Sequence, residues 1–230
     1  MRFLQVLGFA TLALTLPSPA PLDDSLAFAD LEKKALENGV VGELEARQGG
    51  AIGTAIQAIV SNLQDATDDN LAAIQLAASQ IRNATTASVI ITATAVIRTN
   101  LRLIAQSIRD AIAAVVAATT GATGGIQGAI AGLTQSEINT FVGALQQLIT
   151  LLRNIRAQLV ITQNLSAAVA TAASAELTAI RALINPLVVP LQAAAKAILV
   201  ASVVAQLTIT GLREATQGLL NIAAQIVAAQ

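Results

Sequence analysis

Beyond Arg47 the chain carries seven carboxylates (Asp65, Asp68, Asp69, Asp110, Glu137, Glu176 and Glu214) and a single lysine, Lys196. Its 230 residues contain no His, Cys, Tyr or Trp. That removes the usual general base at neutral pH, thiolate chemistry and most base-stacking platforms. A serine nucleophile would need a base, and a Ser-x-x-Lys pairing to Lys196 would need serine at 193, where the chain has Ala193. Two carboxylates flanking a bond would suit glycoside hydrolysis. Most of these acids, however, fall at expected helix ends or on polar faces, and no aromatic platform is present for a sugar. Asp65, Asp68 and Asp69 lie in a short acidic run, but the glycine and terminal glutamate of a calcium loop are missing, with Leu76 where the glutamate belongs. The run reads as a helix N-cap or a solvated kink. The sequence therefore predicts no catalytic residue, no metal and no cofactor.

Three arginines offer a different chemistry. At 100° per residue, Arg98, Arg102 and Arg109 fall within about 40° of one another, on the flank of an apolar helix face. Such a rail suits carboxylate or phosphate head groups, and equally suits solvated arginines whose stems cover apolar surface. Asn83-Ala84-Thr85 and Asn164-Leu165-Ser166 are N-glycosylation triplets. Net charge is −1, which gives no nucleic-acid footprint.

The elements that must position these groups are helical. Hydrophobic residues make up 54% of the chain but aromatics only 2%, so the apolar content is chiefly Ala, Leu, Ile and Val. The clearest stretch runs from Thr134 to Val160. Ile138, Phe141, Leu145, Leu148, Leu152, Ile155 and Leu159 recur at intervals of three and four, the period of one helix face. Val142, Ile149, Ala144 and Leu151 widen that stripe, and Asn139, Gln146, Gln147, Thr150, Arg153 and Asn154 form the opposite face. Thr134 and Glu137 have the spacing of a capping box.

Other helices are expected over Gly50–Ile81, with a slip at residues 65–70, and from the Asn83 triplet to about Ala118. Ile90, Ile97, Leu101, Ile104, Ile108 and Val115 line the core face of the second. Another covers Ala167–Ile184, stopped by Asn185-Pro186, and a last helix covers Leu191–Ala229, weakest where β-branched residues crowd Val200–Gly211. Gly124, Gly128 and Gly132 have the small-xxx-small spacing of close-packed membrane helices, but five glycines in so short a span read better as an interhelical loop. The expected fold is all-α, an antiparallel bundle of four to five long amphipathic helices. No segment is expected to span a membrane: Ala111–Ser136 is broken by glycines, and Ala197–Leu212 is too short.

The ends of the chain are organised differently. Residues 1–20 have the layout of a secretory signal peptide, with Arg2, an apolar run and small residues after Pro17. Residues 21–47 hold seven of the fourteen acids and read as an acidic propeptide cut between Arg47 and Gln48. Residues 48–230, with seven acids against nine bases, form the helical domain.

The leader, the Cys-free body, the Ala/Leu/Thr/Val-rich helices and the proline interruption from Asn185-Pro186 to Pro190 resemble the fungal hydrophobic-surface-binding and cell-wall galactomannoprotein family. The resemblance covers about Gly50 to Gln230. It implies a secreted bundle that coats hydrophobic surfaces or holds fatty acids in a cell wall, and it carries over no site residues. The residues and the resemblance give one expectation: a secreted, non-catalytic glycoprotein binding fatty acids or other apolar ligands and surfaces. Arg98 and Arg102 would pair with the carboxylate, and Phe141, Leu145, Leu148 and Leu152 would line the acyl chain. The alternatives are a structural or interaction protein such as a secreted effector, and a membrane-active helical protein.

Overall fold

The computed structural model describes residues 52–120, 130, 133–204 and 208–228. The leader, the acidic segment with its Arg47–Gln48 junction, and Gly124, Gly128 and Gly132 lie outside the described residues. Among the described residues five helices follow one another: α1 (Ile52–Arg82), α2 (Ala87–Thr120), α3 (Gln135–Leu165), α4 (Ala167–Val204) and α5 (Leu212–Ala228). The fold is an all-α helical bundle.

Helix α1 packs on α2 and α3, α2 also packs on α4, and α5 lies against both α3 and α4. Chain direction alternates across the short links at 83–86 and at Ser166. Helices two apart in sequence run parallel: Thr54 of α1 meets Glu137 of α3 in the first turn of each, and Arg98 of α2 meets Glu176 of α4 about three turns into each. Gly211 and Gly218 face Val142 and Ile149, an equal step of seven on each chain, so α5 follows the direction of α3.

The stripe expected of residues 134–160 is the α3 core. Ile138, Phe141, Leu145, Leu148, Leu152, Ile155 and Leu159 are all buried, as are the four residues that widen it. The opposite set from Asn139 to Asn154 is exposed or half-buried. The expected capping box closes only halfway. Thr134 accepts from the Glu137 backbone N–H at 3.2 Å. The Glu137 carboxylate turns instead to α1, where the Thr54 N–H and hydroxyl donate to it at 3.1 and 2.9 Å. It thereby satisfies a free N–H in the first turn of a second helix, at the positive end of that helix's dipole. The approach is so close that a Cβ on Gly53 would be driven into the Glu137 carbonyl oxygen.

Three boundaries differ from expectation. Helix α1 has no break at residues 65–70: Thr67 is buried on the core side, and its hydroxyl donates to the carbonyls of Leu63 and Gln64 at 2.8 and 3.1 Å. A residue that looks polar in sequence thus keeps the core face continuous. Helix α4 runs through Pro186 and Pro190. Each proline forfeits a backbone bond at a cost of about 3 kcal/mol or more. The two are one turn apart and half-exposed, so water can reach the freed carbonyls, while Ile184, Leu187, Val188, Leu191 and Ala194 are buried on the other side. The last helical stretch is divided before Leu212. Gly211 adopts φ +82, which favours glycine, and Thr208 forms a two-way pair with the Gln135 side chain, both bonds at 2.8 Å. That pair ties the segment entering α5 to the first turn of α3.

Candidate functional site

Arg98 and Arg102 stand one turn apart on α2, and both reach across to one carboxylate oxygen of Glu176 on α4. Arg102 donates to it from Nε at 2.9 Å and approaches it with Nη2 at 2.8 Å; both Arg98 distances are 3.3 Å. Glu176 is 2% exposed, whereas Arg98 and Arg102 are 33% and 57% exposed. The second carboxylate oxygen, Oε2, is buried without a hydrogen-bond partner among the described residues. Burying a carboxylate this far from water is costly unless it is paired, and here two guanidinium groups stand against it. The two arginines are therefore not free cations at a cavity mouth: they clasp α2 to α4. Arg109, the third member of the rail, is half-buried a further two turns along α2.

The expected acyl-chain residues are likewise committed. Phe141, Leu145, Leu148 and Leu152 are each 0% exposed and belong to the continuous core. One pocket among the described residues lies on the outside of the α1–α3 seam. It is a groove of about 480 Å³ lined by Gln64, Gly143, Gln146, Gln147, Thr150, Leu151 and Asn154. Its amides suit water or a polar ligand better than an alkyl chain, and the Gln57–Gln147 bond at 2.6 Å crosses the same seam.

Apolar surface is concentrated elsewhere. Among the described residues, eight large hydrophobic side chains are exposed, and four of them, Val89, Ile91, Val96 and Leu103, stand on the first half of α2. Val89, Val96 and Leu103 recur every seventh residue and so fall within about 40° of one another. Ile91, at 70% exposure, lies across the outer face from them. Between them the outer face carries small or polar neighbours such as Thr92, Ala95 and Thr99. No acid occurs on α2 before Asp110, which is exposed one heptad step beyond Leu103, while Arg98, Arg102 and Arg109 do. Even with Glu176 folded against it, this side of the bundle is both apolar and cationic.

Among the described residues two helices are long and apolar enough to cross a membrane, α2 and residues 167–202 of α4. Neither is an uncharged run in the sequence, since arginines punctuate α2 and Glu176, Arg181 and Lys196 punctuate α4. Both also supply core, including Ile97, Leu101, Leu187 and Ile198.

Asp65, Asp68 and Asp69 are exposed along α1, and no group of three metal-ligating side chains gathers among the described residues. Arg181 on α4 has buried Nε and Nη2 atoms without hydrogen-bond partners among the described residues, and burial pulls its pKa below the usual guanidinium value. Neither the commitment of Glu176 nor the isolation of Arg181 was read from the sequence. The only advance signal for Glu176 is that it is the sole acid in the long apolar stretch from residue 138 to 213. Compared with known protein families, with curated proteins and with solved structures, the chain matches none.

Proposed function

We propose that this protein binds lipid surfaces, meeting them with the outer face of α2 while the bundle stays closed. The observation that carries the reading is the exposed Val89, Ile91, Val96 and Leu103 set on the arginine-bearing first half of α2, which holds no acid before Asp110. Aliphatic side chains gain about 0.8 kcal/mol per CH₂ buried in an acyl layer. Glu176 offsets one of the two arginines it pairs with, and each net positive charge left near an anionic head-group layer adds about 1 kcal/mol. The face lacks the aromatic anchors that dominate protein–protein contacts, which favours a fluid apolar partner over a folded one. The role is non-catalytic, and it agrees with what the resemblance to the fungal hydrophobic-surface-binding family implies, including secretion to a cell wall.

Sedimentation with vesicles tests it. Wild-type chain should bind vesicles containing anionic lipid, more weakly to zwitterionic ones, with the difference shrinking as salt rises. Val96→Asn/Leu103→Asn should weaken partition roughly ten- to hundredfold. Equal binding by that variant would overturn the reading. No binding by wild type would favour the alternative of a structural or interaction protein, for which the filled α3 core speaks.

A further inference from the structure

The two Asn-X-Ser/Thr triplets lie at one pole of the bundle, because α1 and α3 run parallel and each triplet follows or closes one of them. Their local structures differ. Asn83 stands just past the end of α1, where its backbone N–H donates to the Ser79 carbonyl at 3.2 Å and Ala84 donates to Ile81 at 3.2 Å. Residues 83–86 form a non-helical link, Asn83 and Thr85 are exposed, and neither side chain hydrogen-bonds to another described residue. Asn164 is also exposed, but it lies inside the last turn of α3. The third residue of its triplet, Ser166, is the one-residue joint between α3 and α4. Its Oγ accepts from the Val169 N–H at 3.2 Å, and its carbonyl accepts from Ala170 at 2.9 Å.

From this contrast we propose that Asn83 is a glycan acceptor and that Asn164, despite the same sequence pattern, is not. In the transfer, the Asn83 side-chain nitrogen forms a bond to the anomeric carbon of a polyprenyl-diphosphate-linked oligosaccharide. The bond from that carbon to the diphosphate oxygen breaks, polyprenyl diphosphate leaves with the electron pair, and the amide proton passes to base. A transferase must bend the triplet so that the amide and the hydroxyl present themselves together. The 83–86 link can do so without disturbing a helix. At Asn164 the same bend requires unwinding the end of α3 and withdrawing the Ser166 hydroxyl from α4. Helical turns form in about a microsecond, whereas a growing chain gains about 5–20 residues per second, so local helix competes ahead of the enzyme. The proposal rests on entry into a secretory compartment and is independent of lipid binding.

The experiment uses the full chain behind a eukaryotic host's own secretion leader, read on total cell material and on medium. Wild type should carry one endoglycosidase-removable mass increment. Asn83→Gln and Thr85→Ala should each lose it, and Asn164→Gln should keep it. Ser166→Thr placed in the Asn83→Gln chain should remain unmodified, because the obstacle is the helix and not the kind of hydroxyl. An unmodified wild type, two increments, or an increment lost in Asn164→Gln would overturn the proposal.

Discussion

Helices α2 and α3 have nearly interchangeable inner faces and opposite outer ones. Inside, Ile97, Leu101, Ile104 and Ile108 of α2 are as buried as Phe141, Leu145, Leu148 and Leu152 of α3. Outside, α3 presents Asn139, Gln146, Gln147, Thr150, Arg153 and Asn154, while the first half of α2 presents Val89, Ile91, Val96 and Leu103. Burial explains the inner faces and says nothing about the outer ones, because a solvent-facing position is free to be polar. On α3 that freedom is used in the ordinary way. On α2 it is not, and the proposed lipid contact rests on that difference.

The comparison also extends to how each helix is anchored, and there the largest effects are expected. Arg98→Ala/Arg102→Ala would leave the Glu176 carboxylate buried and unpaired, at a cost of about 3–5 kcal/mol in a denaturant melt. Glu176→Gln should cost less, about 1–3 kcal/mol, because the half-exposed arginines can turn to water. The reverse order would mean that the clasp does not depend on burial of the acid. Next come the inner faces: Leu148→Ala and Ile104→Ala should each cost about 2–5 kcal/mol, and a clear gap between them would break the equivalence of the two helices. Gly53→Ala should cost about 1–3 kcal/mol, since the start of α1 must move off Glu137. Smallest are the outer faces. Gln147→Ala and Leu103→Asn should both stay within about 0.5 kcal/mol, so that any loss of vesicle binding in the second is not a loss of fold.

The α3 core was legible in the sequence because its apolar residues keep one period without interruption. The α1 and α4 boundaries were not, for one shared reason. Thr67, Pro186 and Pro190 are poor local signals for a continuous helix, and tertiary burial beside them overrides the local preference. The helical-rail geometry of Arg98 and Arg102 was legible too. Their partner was not, since Glu176 is more than seventy residues away and nothing local couples them. The same holds for Glu137. Its spacing from Thr134 pointed to a cap on its own helix, and only the parallel approach of α1 diverts the carboxylate to Thr54. Exposure of the α2 outer face was hidden because Val89, Val96 and Leu103 are indistinguishable from core residues until the neighbours are known.

The central claim is that the bundle meets an apolar surface closed, by α2, and not by parting to offer its core. Hydrogen exchange on vesicle-bound chain tests this most directly. The account predicts that amides across Ile138–Leu159 exchange as slowly on the vesicle as in solution, with any added protection confined to the first half of α2. Faster exchange across Ile138–Leu159 on binding would mean that the core opens to the lipid, and would contradict it.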